Sequence, residues 1–357
     1  MPRPELLTIG LFARASGLTA SALRFYADSG LLRPASVDQA SGYRYYASDQ
    51  VERAVVIRRL REIDVPLERV AEILRSDGRD AARVIDEHVA ALAERAHRAR
   101  ETAAAVKASL DPTRWSPPVA VTGSVFAAAV EQIITATTRE PDLPVLNGVR
   151  VGVSADGVEL TATDRYRLST RTLAPTRPHE ADWSATVDAD DLGAAMPWAR
   201  RRHRLHLSTR PGSIRLAGDD ETTRECRTLA GPFPDHRVLL ASLPEVRTRV
   251  LVPRNALVHR LEHHRDQRVR LRVTDSAVAV GPGGIPDTPP IPATVTGPGI
   301  DVDFAITTLY PAISTAIGPD LMLDLAGPDQ PVVVRSADNG DLTTLAMPVR
   351  PLTQEGP

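Results

Sequence analysis

The stretch from Leu6 to Leu74 most constrains the fold. Thr8 stands where a side chain can N-cap a short helix, and Ile9, Phe12 and Ala13 would form that helix's apolar face. Gly17-Leu18 turns the chain, Thr19 caps a second helix with Leu23 pointing inward, and Gly30 ends it. Two short helices about a glycine turn predict a helix-turn-helix, whose second helix is the one that reads a DNA groove. Ser41-Gly-Tyr-Arg-Tyr-Tyr46, in a polar turn after Pro34, fits the tip and return strand of a wing. Further helices are predicted from Asp49 to Arg61 and from Val65 to Leu74.

Charge supports a nucleic-acid role for this stretch alone. Met1 to Arg61 holds nine arginines against five acids, whereas the whole 357-residue chain has a formal net charge of −2, which excludes a protein that coats nucleic acid along its length. Arg24 and Tyr26 fall on the second helix, Thr19 and Ser21 in its first turn, Arg14 near the end of the first helix, and Tyr43 and Arg44 at the wing. Arginine pairs with guanine edges or phosphate, and Ser, Thr and Tyr hydroxyls reach phosphate, so these seven are the candidate DNA contacts. Of Tyr45 and Tyr46, one is expected to cover the domain core instead.

In order and spacing, Leu23-Arg-Phe-Tyr26, Gly30-Leu-Leu-Arg-Pro34, Gly42-Tyr-Arg-Tyr-Tyr46 and the run from Ile57 to Leu74 resemble the N-terminal domain of MerR-family transcription regulators. The resemblance implies a homodimer on a double-stranded promoter palindrome, RNA polymerase as partner, and an effector-binding region further along the chain. Cys226 is the one cysteine, which leaves no disulfide framework or cysteine metal site within the chain and separates it from the cysteine-using metal sensors of that family. No signal peptide and no membrane-spanning apolar run is legible, so a cytoplasmic location is expected.

Ala81 to Leu110 contains neither proline nor glycine. Ile85, Leu92, Ala99 and Val106 recur every seven residues, and Val89, Ala96, Ala103 and Leu110 form a second series offset by four. That is a coiled-coil seam, with alanine at three of its eight positions, so it buries little area and needs help from its neighbours. The MerR resemblance implies that it is an antiparallel dimer helix. Asp111-Pro-Thr-Arg-Trp-Ser-Pro-Pro118 reads as a proline-broken linker.

Beyond the linker the pattern turns to strands with short helices between them, and it repeats. Predicted helices at Ser124–Thr137 and Pro253–Arg265 each precede a strand pair, at 151–168 and 269–280. Second helices follow at Asp188–Arg200 and Thr307–Ile317, expected to be limited by Pro197 and Pro311. Leu143-Pro-Val-Leu-Asn-Gly148, Ala162-Thr-Asp-Arg-Tyr-Arg-Leu168, Gly231-Pro-Phe-Pro-Asp-His-Arg237 and Ala346-Met-Pro-Val-Arg350 resemble, in order and interval, the sliding clamp of bacterial replication, the beta subunit of DNA polymerase III. From Val119 to Arg350 the chain looks like the clamp's middle and last domains, with the MerR-like module in place of the first.

The expected architecture is therefore multidomain: an all-α winged helix-turn-helix (1–76), a dimerisation helix (77–110), a linker (111–118), and two α+β clamp-like domains (119–245 and 246–357). In clamps, a hydrophobic cleft takes short peptides. Carried over by motif, its lining here would be Leu146, Thr163, Arg165, Tyr166, Arg167, Leu168, Pro234, Leu239 and Met347. Arg165 stands where clamps have glycine. A clamp-binding peptide or a small-molecule effector is the expected occupant.

Arg200-Arg-Arg-His-Arg204 and the group Arg260, His263, His264, Arg265 are the densest basic runs, which are more often solvated faces than DNA contacts. Gly281-Pro-Gly-Gly284 does not open a helix and is no phosphate loop. No cofactor, metal site, membrane contact or enzymatic activity is expected. Two functions compete: a MerR-type transcription regulator with a clamp-like effector half, and a replication-associated protein related to the clamp.

Overall fold

A computed structural model describes residues 5–281, 289–337 and 341–350. Residues 282–284 of the glycine-proline segment lie outside them. The chain divides into two compact units, Met1–Ala99 and Arg100–Pro357.

The first unit runs β1 (Leu6–Thr8), α1 (Ile9–Ser16), α2 (Ala20–Asp28), β2 (Ser36–Val37), β3 (Arg44–Ala47), α3 (Gln50–Glu62), α4 (Leu67–Ile73) and the start of α5 (Gly78–Leu110). The caps form as the sequence requires: the Leu11 N–H donates to Thr8 Oγ1 at 3.4 Å and the Ala22 N–H to Thr19 Oγ1 at 3.1 Å. Gly17 between the helices has φ +70°, a left-handed conformation that only glycine adopts freely. Phe12, Leu23, Tyr46, Ile57 and Val70 are fully enclosed in one core, with Phe12 and Tyr46 stacked at 4.6 Å. Such a ring pair adds about 0.5–1.5 kcal/mol to its burial. The Tyr46 hydroxyl donates to the Leu23 carbonyl at 3.1 Å, so the wing's return strand is tied to α2. Tyr46 is thus the wing tyrosine that covers the core. The unit is not all helical: β1 pairs with β3, and β3 with β2, in a three-stranded antiparallel sheet. Three residues are too few for periodicity to reveal β1.

Along α5, Val84 is buried in the first unit's core and Ile85 packs partly against it. Ile85 is therefore turned toward its own unit, and the exposed part of the stripe begins at Val89. Val89, Val106 and Leu110 are 49%, 53% and 81% exposed. Ala96, Ala99 and Ala103 are also exposed, while Leu92 is half-buried.

The second unit contains the repeat. Its first half is β4 (Val119–Thr122), α6 (Gly123–Ile133), β5 (Gly148–Ser154), β6 (Gly157–Thr163), β7 (Arg167–Leu173), β8 (Trp183–Asp188), α7 (Ala189–Ala199), β9 (Arg204–Arg210), β10 (Ser213–Gly218) and β11 (Thr223–Arg227). A short helix, α8 (His236–Ala241), leads to the second half: β12 (Thr248–Pro253), α9 (Arg254–Glu262), β13 (Arg268–Val273), β14 (Ala277–Gly281), β15 (Ile291–Pro292), β16 (Thr294–Thr296), β17 (Ile300–Ala305), α10 (Ile306–Ser314), β18 (Asp320–Leu325), β19 (Val332–Ser336) and β20 (Leu342–Ala346). The sheet orders repeat: β8-β5-β6-β7 corresponds to β17-β13-β14-β15, and β4-β9-β10-β11 to β12-β18-β19-β20. β10 and β12 bury every second side chain, as half-buried strands do. Each half has its own core, one around Phe126, Ile133, Leu160 and Met196, the other around Leu257, Phe304, Leu309 and Leu321.

Helices α6 and α7 approach closely at Gly123, where a Cβ would lie 2.4 Å from the Arg202 carbonyl oxygen and 2.5 Å from that of Ala199. Pro197 and Pro311 lie inside α7 and α10 rather than ending them. Each stands near its helix's C-terminus, where one missing N–H costs a single ladder bond. The helical pattern continues past both: the Arg200 N–H donates to Met196 O at 2.9 Å and the Thr315 N–H to Pro311 O at 3.2 Å.

The segment 111–118 is not a free linker. The Ser116 N–H donates to Thr209 O at 2.8 Å, and the Trp183 indole N–H donates to Pro117 O at 3.2 Å. The guanidinium groups of Arg215 and Arg210 lie 3.8 and 4.4 Å from the Trp115 ring centroid. Proline content signalled a break in the helix but not the docking that Trp115 provides.

Candidate functional site

In the first unit Arg14, at the end of α1, and Thr19, Ser21 and Arg24, at the start of α2, are all exposed. Among the described residues neither Arg14 nor Arg24 has a carboxylate partner, so both cations are free for phosphate or base edges. Thr19 spends its oxygen on the helix cap. Tyr26 does not stand with them: it is 7% exposed and packs in the core, because position 26 falls on the same inward face as Leu23, three residues earlier. Its neighbour Phe25 is 54% exposed instead, an aromatic that residue type alone assigned to no site.

At the wing, Tyr43 is 43% exposed. Arg44 is partly buried and bonded to Asp28 at 2.8 Å, which ties β3 to the end of α2. The wing turn is fixed by Asp38, whose Oδ1 accepts from Ser41 Oγ at 2.7 Å, Ser41 N at 2.7 Å and Ala40 N at 3.0 Å. The Ser41 hydroxyl, foremost among these donors, holds the Asp38 carboxyl below its ordinary pKa.

The second site lies at the seam of the two halves, where β20 pairs with β7 and joins the sheets into one of nine strands. The register sets Leu168 opposite Leu345. Leu168, Leu345 and Val333 are buried together, with Leu240 and Leu243 packed on them from α8 and the turn after it. This apolar floor is separate from both main cores. Around it, Tyr166, Leu239 and Met347 are 58%, 45% and 40% exposed, and the Met347 N–H donates to Tyr166 O at 2.8 Å. Pro234 is also exposed.

Leu146, Thr163 and Arg167 stand behind this surface rather than on it. Leu146 is 2% exposed in a 3-10 turn (Pro144–Asn147). The Thr163 hydroxyl donates to Arg167 O at 2.7 Å and accepts the Arg165 N–H at 3.2 Å. The Arg167 side chain is only 10% exposed, bonded to Asp164 Oδ2 at 2.8 Å and to Thr135 O at 2.6 Å. Polar side chains in a sharp strand-to-strand turn satisfy the turn's own backbone first.

Arg165 is the odd member. Its φ is +74°, a conformation that costs a non-glycine residue about 1–2 kcal/mol. The turn is over-determined around it: Asp164 Oδ1 accepts from Tyr166 N at 2.9 Å and Arg167 N at 2.6 Å. The guanidinium reaches Glu140, with Nη2 3.1 Å from Oε2 and 3.4 Å from Oε1. Glu140, Leu345, Val333, Leu240 and Leu243 escaped the sequence reading. Leu345 was legible as an apolar position of the strand that ends just before Met347; Glu140 carried no signal.

α8, which carries Leu239, is anchored by His236, 6% exposed, whose Nε2 lies 2.8 Å from Glu159 Oε1. Burial pushes the Glu159 carboxyl up, but the hydrogen bond and charge of His236, with Arg237 adding, outweigh it and hold the pKa below the ordinary value.

The first basic run is largely compensated, whereas Arg260, His263 and His264 bond to backbone carbonyls. Arg200 pairs with Glu131, Arg202 with Asp220 at 3.2 Å, and Arg204 with Asp219 at 3.9 Å. Among the described residues no group of three His, Cys, Asp or Glu side chains is placed to hold a metal, and no helix is long and apolar enough to cross a membrane.

Comparison with known proteins agrees with this division. Residues 7–77 match the MerR HTH family regulatory protein, and residues 120–235 match the central domain of the DNA polymerase III beta subunit. The chain is 30% identical over 203 residues to the beta sliding clamp homolog GriR of Streptomyces muensis, covering 52% of each chain. It is 40% identical over 75 residues to the transcriptional regulator BrlR of Pseudomonas aeruginosa, covering 21% of this chain and 28% of that one. The chain thus spans about half the length of its clamp relative and under a third of its regulator relative. The fold is similar to that of a DnaN sliding clamp from Pseudomonas aeruginosa solved with griselimycin bound: TM-score 0.59 at 17% identity, covering 66% of this chain and 65% of that chain. The chain therefore joins a MerR-type helix-turn-helix domain to a region with the fold of the DNA polymerase III beta sliding clamp.

Proposed function

We propose that the chain is a sequence-specific transcription regulator in which the clamp-like region is the ligand-sensing half. The observation that carries the reading is the pairing, in one chain, of a helix-turn-helix presenting uncompensated Arg14 and Arg24 with a clamp-type cleft whose floor is intact. The stripe from Val89 to Val106 on α5 joins two copies, and the dimer reads a promoter palindrome with half-sites about one helical turn apart. RNA polymerase is the partner whose use of the promoter changes. Deforming the promoter costs several kcal/mol, offset by contacts that only the deformed DNA allows. The cleft takes a ligand that also binds sliding clamps, a peptide or a small molecule. The similarity to a clamp homolog and to a clamp solved with griselimycin supports that class of occupant.

Charge favours this reading over a replication clamp that tracks DNA. A surface that follows phosphates needs uncompensated cations. The packed helices α6 and α7 carry Glu131, Asp190 and Asp191, and Arg200 and Arg139 are paired to Glu131 and Asp190. The test is binding mode. The regulator binds one short linear duplex, found by genome-wide occupancy, well above random sequence at fixed salt. Equal affinity for every duplex would support the clamp reading instead.

A further inference from the structure

We propose that Arg165 makes the cleft selective for a ligand that carries a carboxylate beside its apolar groups, an acidic apolar peptide, by exchanging Glu140 for the ligand's carboxylate. The proposal rests on the reading of the cleft as a ligand site and adds what that site chooses.

Three observations carry it. First, Arg165 keeps a side chain at φ +74°, where glycine would be free of strain, although it makes no contribution to a core. An observed backbone outlier at a candidate site points to a retained role for its side chain. Second, its side chain is 54% exposed and that of its one charged partner among the described residues, Glu140, is 39% exposed. A half-exposed ion pair is weak because water competes with it, so another carboxylate replaces Glu140 at little cost. The planar fork accepts either carboxylate with the same geometry. Third, the surroundings fix where the apolar part goes. Tyr166 follows Arg165 directly, Leu168 lies three residues on in the floor, and Met347 is held beside Tyr166 through its backbone. A ligand covering Tyr166, Leu239 and Met347 shields the new pair from water, and charge attraction strengthens as the local dielectric falls.

The other charges near the turn are committed. Asp164 is bonded to two backbone N–H groups and to Arg167, and Arg237 faces Glu159 at 3.5 Å. Arg167 Nη1 is buried and has no hydrogen-bond partner among the described residues, which leaves the turn one donor short of satisfied.

The experiment measures binding of fluorescein-labelled, C-terminally amidated hexapeptides built from leucine, phenylalanine and alanine, in pairs that differ only by aspartate or asparagine at each position in turn. The full chain is used, as wild type, Arg165→Gly and Glu140→Gln. The wild type should bind at least one aspartate peptide about fivefold more tightly than its asparagine twin, a preference that shrinks as salt rises. In Arg165→Gly the preference should fall to within about twofold while the asparagine peptides still bind, since glycine relieves the backbone and leaves the floor unchanged. Glu140→Gln should widen the preference by freeing the guanidinium. Equal binding of the twins by wild type, or a preference that survives Arg165→Gly, overturns the proposal and leaves the cleft reading standing. No binding of any peptide, together with no binding of griselimycin, overturns the cleft reading and this proposal with it.

Discussion

At the scale of single residues, exposure separates the side chains available for DNA from those that hold the reading helix. Arg24 stands free on α2, so Arg24→Ala should weaken operator binding by about 1–3 kcal/mol at fixed salt while thermal stability stays within error. Gel shift beside a melting curve measures both, and an unchanged affinity refutes the contact. Tyr26 should behave in the opposite way. Tyr26→Ala removes a core aromatic and should cost about 3–5 kcal/mol of stability, with DNA binding lost only as the fold is lost. Cys226 gives a pH prediction. Burial, with the nearby charges of Asp191 and Asp188, pushes its thiol from the ordinary 9.0 up to about 11. A folded pKa above the unfolded one contributes stability that is fully present below pH 9.0 and lost as pH rises through about 11. Thiol alkylation at pH 8 should therefore proceed at the rate of unfolding, and fast labelling of the native protein would contradict this placement.

At the scale of elements, α5 and α8 carry the tests. Val89→Glu with Leu92→Glu puts two carboxylates in the proposed dimer seam, where unpaired buried charge is heavily penalised, and should yield monomers in sedimentation. A double variant that stays dimeric would assign dimerisation to the clamp-like region. α8 is pinned by the pair of Glu159 and His236. The lowered pKa of Glu159 means that its contribution is present above the ordinary carboxyl value of 4.5 and is lost as pH falls through the lower folded value. Below pH 4.5 α8 should loosen before the main cores unfold, read as hydrogen exchange at Val238 and Leu239, whereas Glu159→Gln should show that loosening at neutral pH. Much of this was legible beforehand for physical reasons. Caps at Thr8 and Thr19, a left-handed Gly17 and an inward Leu23 are local rules, and they sufficed for the helix-turn-helix. The repeat was legible because each half repeats the same strand and helix periods. What stayed hidden depends on contacts distant in sequence. The floor of Leu168, Val333 and Leu345 exists only because β20 pairs with β7, and nothing in the local sequence of Trp115 says that Arg210 and Arg215 will hold it. Tyr26 faces the core because its helical phase with Leu23, rather than its residue type, decides its exposure.

At the scale of the whole molecule, occupation of the cleft should alter DNA binding. A ligand shifts this equilibrium only by the difference in its affinity for the two functional states, and a tenfold change in output needs about 1.4 kcal/mol. The coupling is reciprocal, so operator DNA must change the ligand's affinity by the same factor. The most direct measurement is the affinity of the full chain for its preferred linear duplex, by fluorescence anisotropy at one salt concentration, with the cleft empty and then saturated by griselimycin or by the tightest hexapeptide. DNA affinity should change by at least about fivefold, ligand affinity should change to match when DNA is present, and both changes should be lost in Met347→Asp. Identical DNA affinity with and without a ligand that demonstrably fills the cleft would contradict this coupling.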